Sequence, residues 1–221
     1  MIEQVEDAAT LARLLELTDR QKQKLERYAA LLETWNKGIN LVSRRDLDDL
    51  WHRHMFDSAQ LLPLLPPAPL GRQRRLVDLG SGGGFPGLVL AVLGAGDVHL
   101  LESDGRKVAF LEAVSRETET PITLHSARIE SLAGLSADCV TARALAPLPK
   151  LLGYVARHLA PQGRALLLKG RRLEVELTAA REAWSMEVSE TPSRSHPDGR
   201  IVTIERLAPR RNSGTRERRR P

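Results

Sequence analysis

The chain has one cysteine, three tryptophans, two tyrosines and three phenylalanines in 221 residues. The single Cys139 excludes an internal disulfide, and with it a small secreted fold that depends on staples. Aromatic residues at 4% are too few for a surface that binds single strands mainly by stacking. No apolar run reaches the roughly 20 residues of a membrane span. The first seven residues, Met1 to Asp7, lack the basic character of a signal peptide. These absences point to a reducing, cytoplasmic setting with no membrane partner. The balance of 42% hydrophobic and 28% charged residues excludes a wholly disordered chain or a coiled coil. It is enough to bury a core without staples.

The charge is unevenly placed. The net charge of +5 lies in residues 208–221, where six arginines face one acid, Glu217. The body, residues 1–207, balances to zero. An Arg-rich tail of this kind can neutralise nucleic-acid phosphates or remain a solvated end.

Leu25, Tyr28, Leu32 and Trp35 recur at helical spacing, Thr18 and Gln21 form a capping box, and Gly38 is a stop. A second helix is expected over about 47–62. Four prolines between Leu61 and Leu70 then end the helical pattern. We therefore divide the chain into an N-terminal helical region with a Pro-rich linker (1–70), a main domain (71–207) and an Arg-rich tail (208–221) expected to be disordered. In the main domain, strands are expected at 75–79, 97–102, 121–125, 138–142 and 164–169. Helices are expected at 85–93, 106–116, 148–159 and 171–183. Two closing strands, 186–188 and 200–205, follow without a helix between them. Repeated βα units imply an α/β fold with a doubly wound, mostly parallel sheet and an antiparallel terminal strand.

The densest chemical signal is Asp78-Leu79-Gly80-Ser81-Gly82-Gly83-Gly84-Phe85-Pro86-Gly87. A strand ends, a glycine-rich turn follows and a helix begins, which is where open α/β sheets bind ligands. The glycines at 82, 84 and 87 match a dinucleotide frame, and those at 80, 82 and 84 a frame that starts at the strand end. Glu102 closes the second strand, where a carboxylate can accept hydrogen bonds from both hydroxyls of a ribose. These residues call for a nucleoside cofactor without choosing between NAD and S-adenosylmethionine. A nicotinamide-dependent oxidoreductase and a non-enzymatic RNA-binding module therefore stand beside a methyltransferase.

The Asp-x-Gly-x-Gly-x-Gly order resembles motif I of S-adenosylmethionine-dependent methyltransferases. Trp35 to Ser43, Arg53 to Ser58, Leu101 to Lys107, Arg143 to Ala146 and Leu168 to Gly170 accompany it in order. Together these segments resemble the bacterial 16S ribosomal RNA guanine-N7 methyltransferases, the glucose-inhibited division protein B family, over roughly 25–206. The resemblance implies a Rossmann-like class I methyltransferase fold with S-adenosyl-L-methionine as cofactor. It also implies N7 of one guanine as methyl acceptor, and 16S ribosomal RNA or a small-subunit particle as partner, the enzyme acting as a monomer. Carried over residue by residue, it implies cofactor contacts at Gly80, Phe85, Glu102, Ile129, Glu130 and Arg143.

Guanine N7 has a lone pair and no proton, so that chemistry requires no general base. The motif used for methylating exocyclic amines is missing after the fourth strand, where Arg143-Ala144-Leu145-Ala146-Pro147 stands. Cys139 lies inside a strand and reads as a small buried residue. His52 and His54 bracket Arg53 without a zinc-ligand pattern, so no metal is expected. Arg53 and His54 are the positioning candidates. Arg44, Arg45, Lys169, Arg171 and Arg172 are further candidates for RNA contact.

Overall fold

The computed structural model describes residues 4–210. The alternation of apolar runs with helical stretches folds into one seven-stranded sheet. Its strands are β1 (Arg75–Leu79), β2 (Asp97–Glu102), β3 (Thr123–Ser126), β4 (Ala137–Arg143), β5 (Leu159–Lys169), β6 (Trp184–Pro192) and β7 (Arg200–Pro209). Their order is β3-β2-β1-β4-β5-β7-β6. β1 to β5 pair in parallel, and β7 runs against both β5 and β6. The order reverses between β1 and β4, and a cleft opens at such a switch point beyond the carboxyl ends of the strands.

The N-terminal segment forms α1 (Ala8–Leu15), α2 (Asp19–Asn36) and α3 (Arg44–Asp48). The sequence reading missed α1. Asp7 caps it by accepting from Thr10 N–H, and Val5, Ala8 and Leu11 bury its inner side. The Thr18–Gln21 capping box of α2 is present in both directions. The helix expected over 47–62 is broken instead into the end of α3, a π-helical turn Trp51–Phe56, α4 (Asp57–Ala59) and a 3-10 turn Leu62–Leu64. The reason lies in the side chains. His52, His54, Met55 and Phe56 are all buried, a set wider than one stripe of a 3.6-residue helix, and the π turn brings it inward.

The remaining helices are α5 (Gly87–Val92), α6 (Gly105–Glu117), α7 (Leu148–His158) and α8 (Leu173–Ala183). Each sheet face has its own core. On one face, Leu11, Leu25, Tyr28 and Leu32 join Leu88, Phe110 and Leu111 in one buried cluster. On the other, Leu148, Leu152 and Leu177 cover Val77, Val140 and Leu167. Arg164 Nη1 donates to Leu64 O at 2.9 Å and so pins the Pro-rich segment to β5. β7 extends to Pro209, pairs with Trp184 and Ser185 of β6, and is followed by Arg210 N–H donating to Ala183 O. Residues 208 and 209, read from the sequence as the start of the tail, therefore belong to the sheet, and Arg210 is tied to the end of α8; the rest of the tail lies outside the described residues. No helix among the described residues is long and apolar enough to cross a membrane.

Candidate active site

In the turn after β1, Gly80, Gly82 and Gly84 take φ of 67°, 56° and 95°. At Gly80 a Cβ would meet a backbone conformation that L-residues rarely adopt and would stand 2.6 Å from Leu145 Cδ1. Gly87 serves a different purpose. It brings α5 so close to β1 that a Cβ would lie 2.5 Å from Asp78 Cβ. The frame Gly82-Gly84-Gly87 thus has a packing requirement that does not select a dinucleotide.

Glu102, nearly buried at the end of β2, holds this turn. Its Oε2 accepts from Gly82 N–H at 2.9 Å, and Oε1 accepts from Ser103 and Asp104 N–H at 2.7 and 2.8 Å. A carboxylate has about four acceptor positions, so one stays open to a ribose hydroxyl. The second hydroxyl expected from the sequence can be accepted only where Gly82 N–H lets go. Ala127 N–H donates to Glu102 O at 3.1 Å, which brings the 3-10 turn Ile129–Ser131 to the same strand ends. Ile129 packs with Val77, Leu79 and Leu101, while Glu130 is exposed and accepts from Tyr154 O–H at 2.6 Å. Gly80, Glu102, Ile129 and Glu130 therefore gather on the β1–β2–β3 side. They supply an acceptor for a sugar hydroxyl, an apolar wall and an exposed carboxylate, and this set fits an adenosine-bearing cofactor.

Asp78 is fully buried in β1. Thr141 Oγ1 donates to its Oδ1 at 2.7 Å, yet burial still pushes its carboxyl above the ordinary range. Oδ2 has no partner among the described residues.

The other candidates form a second group. Arg143, the last residue of β4, donates from Nη1 to Arg53 O at 2.9 Å and from Nη2 to His54 Nδ1. Asp57 Oδ2 lies 3.4 Å from the same Nη1. The Arg143 Cζ sits 5.1 Å from the centroid of the Phe85 ring. That ring also stacks on Tyr28 at 5.5 Å and lies 4.7 Å from the His54 ring. The Phe85 side chain is thus committed to a buried stack and is not an open ligand surface. Arginine can only donate, so His54 Nδ1 is an acceptor and the ring is neutral. Burial first, and the Arg143 charge second, push the His54 pKa down to about 3. A group that protonates only there is a poor base at neutral pH. Cys139 is fully buried, and burial pushes its thiol up to about 12, in keeping with a core residue.

A cleft of about 730 Å³ opens beside this group, lined in part by Arg53, His54, Asp57, Arg143, Lys169 and Glu176. The loop between β6 and β7 forms another wall. Ser195 Oγ donates to Asp57 Oδ1 at 2.5 Å, and His52 Nε2 donates to Ser195 O at 2.8 Å. Of the RNA-contact candidates, Arg44, Arg45, Arg171 and Arg172 are exposed. Arg53 pairs with Asp46 at 2.9 Å and Arg171 with Asp198 at 2.6 Å. Lys169 differs from the expected surface cation. It is mostly buried and donates to Ala146 O at 3.0 Å and Glu176 Oε2 at 2.8 Å. A larger groove of about 1090 Å³ runs past Asn36, Lys37 and Arg44, away from the convergent polar residues.

Tyr28, Asp57, Glu176 and Ser195 are not among the site candidates expected from the sequence. Tyr28 Oη donates to Gly83 O and so ties α2 to the glycine turn, but its helical spacing reads only as core. Asp57 and Ser195 meet across 138 positions of chain, a proximity that no local pattern reports.

The family model GidB, described as rRNA small subunit methyltransferase G, matches residues 21–201. A Rhodospirillum centenum protein named ribosomal RNA small subunit methyltransferase G is 54% identical over 187 residues, covering 85% of each chain. The protein of that name from Paramagnetospirillum magneticum is 54% identical over 84% of this chain and 89% of its own. Among solved structures, cofactor-bound Rv0187 from MTB aligns with a TM-score of 0.55 at 17% identity, over 90% of this chain and 95% of that one. A SAM-dependent methyltransferase from Aquifex aeolicus gives 0.53 at 15% identity, over 74% and 95%. At such identities these two structures bear on the fold alone.

Proposed function

The chain belongs to the rRNA small subunit methyltransferase G family and is an S-adenosylmethionine-dependent rRNA methyltransferase, and on that premise we propose that it methylates N7 of one guanine in 16S ribosomal RNA. The observation that carries the reading is the switch point itself. A glycine turn locked by Glu102 lies on one side of it, and a polar cleft with a basic rim lies on the other. The enzyme acts in the cytoplasm as a monomer.

The cofactor supplies a methyl group already activated on a sulfonium. The chain's own residues bind, orient and exclude water. Gly80 lets the turn approach the cofactor, Glu102 accepts from its ribose, and Ile129 and Glu130 flank its adenine. Phe85 contributes through its backbone, since its ring is buried in the Tyr28 stack. Arg143 closes the cofactor side of the cleft and is itself fixed by Arg53, His54 and Asp57. Arg53 and His54 position the base. The exposed Arg44, Arg45, Arg171 and Arg172 meet phosphates, contacts that hold register without reading sequence.

No proton need be removed from guanine N7, and the depressed pKa of His54 agrees with a site that uses no base. Transfer moves positive charge onto the purine. A neutral His54 adds no repulsion, and the charge of Arg143 is offset by Asp57. Holding two reactants aligned in a dry site can supply about 7–11 kcal/mol of a barrier.

The test is to incubate the purified protein with methyl-labelled S-adenosylmethionine and either naked 16S RNA or small-subunit particles, then digest to nucleosides. Label in N7-methylguanosine is expected. Label in any other nucleoside overturns the reading.

A further inference from the structure

Glu176, in the first turns of α8, lines the cleft at the carboxyl end of β5. Its Oε2 accepts from both Lys169 Nζ and Leu148 N–H, each at 2.8 Å. Its Oε1 has no protein partner among the described residues, and the side chain is 17% exposed. Burial would raise this carboxyl, but the Lys169 ammonium and the Leu148 N–H outweigh it and hold the pKa below the ordinary value. Glu176 is therefore a fixed, ionised acceptor. Lys169 donates two of its three hydrogens, to Glu176 and to Ala146 O, and one remains. Side by side, the pair offers the cleft one donor and one charged acceptor.

We infer that the Lys169–Glu176 pair reads the Watson–Crick edge of the target guanine, with Lys169 donating to O6 and Glu176 Oε1 accepting from N1–H and the 2-amino group. The inference rests on the proposed function. Guanine presents acceptor, donor, donor along that edge, the complement of the pair. Adenine presents a donor to Lys169 and a lone pair to the carboxylate, so both contacts become repulsive. Cytosine reverses the same two positions. Uracil sets its O2 against the carboxylate and has no N7. Gripping this edge also leaves the imidazole side of the purine free, and N7 lies there. A buried polar site discriminates strongly because the wrong base leaves its groups unpaired.

The test uses an RNA carrying guanosine or inosine at the position that methyl mapping identifies. Inosine lacks only the 2-amino group and keeps N7 intact. The parent enzyme should show kcat/KM lower on inosine by about ten-fold or more, the loss of a hydrogen bond to a charged group. Glu176→Gln loses the N1–H contact as well as the 2-amino contact, so it should fall on guanosine RNA below the parent's inosine level and show a guanosine-to-inosine ratio of one or less. Its affinity for S-adenosylhomocysteine should be unchanged, which reports an intact fold. A parent with no preference for guanosine over inosine overturns the inference without any variant. So does a folded Glu176→Gln that slows both RNAs equally and keeps the parent's ratio, the outcome of a merely structural role. A parent that makes no N7-methylguanosine on either RNA overturns the functional reading, and this inference falls with it.

Discussion

Glu102→Gln tests the cofactor side most sharply, because the structure gives this carboxylate more work than a ribose contact. It accepts three backbone N–H groups, from Gly82, Ser103 and Asp104. A glutamine has one oxygen and one amino group. If its oxygen serves Ser103 and Asp104, its amino group must face the Gly82 N–H, donor against donor. If it turns the other way, two N–H groups lose their acceptor. The milder choice costs one hydrogen bond to a charged group, about 1.5–3 kcal/mol. It also weakens two others by removing the charge and frees the turn that carries Gly80 and Gly82. Cofactor binding should therefore weaken by about 10- to 150-fold or more. The assay is isothermal titration with S-adenosylhomocysteine on protein shown to be folded by circular dichroism. Glu102→Asp, one methylene shorter, should also fail to bridge β2 and the turn. A folded Glu102→Gln that binds within two-fold of the parent would refute the argument.

Gly80→Val should abolish S-adenosylhomocysteine binding in a folded protein, because it strains a positive-φ position and crowds Leu145; unchanged calorimetric affinity would count against the assignment of this turn. Tyr28→Phe removes the only hydrogen bond found for that hydroxyl, to Gly83 O, among the described residues, and should lower unfolding stability by about 1–3 kcal/mol in urea titration. His54 has a folded pKa of about 3 against an ordinary 6.5, so the unfolded state binds more protons between those values. Stability from this group is present above about pH 6.5 and should fall as pH drops toward 3, by up to about 1.4 kcal/mol per unit. In His54→Gln, denaturation curves should lose that part of the acid sensitivity, and equal pH slopes for both proteins would contradict it.

The sheet was legible because its signals are local. Five apolar runs separated by helical stretches name parallel strands, and the Asp78 to Gly87 stretch marks the switch point. The broken helix at 51–64 was not legible. Its cause is a buried set too wide for an α-helix, which appears only when His52 meets Val5 and Ser195 and His54 meets Arg143 and Phe85. Glu102 was found, but its grip on Gly82 depends on two strand ends meeting in space. Motif I marks Phe85, but the stack of its ring on Tyr28 brings in a distant helix that no local pattern reports. Glu176 lies in the expected helix 171–183 and carries no local signal of a site. Only its bonds from Lys169 at the end of β5 and from Leu148 N–H at the start of α7 show that it stands in the cleft.

The central claim is that this chain places a methyl group on N7 of a guanine in 16S ribosomal RNA. The direct measurement is to map N7-methylguanine, by chemical cleavage and mass spectrometry, in 16S RNA from cells with and without the protein. One N7-methylguanine should be present with the protein, absent without it, and restored by the parent gene but not by Gly80→Val. Identical N7-methylguanine maps in the two strains would contradict the account.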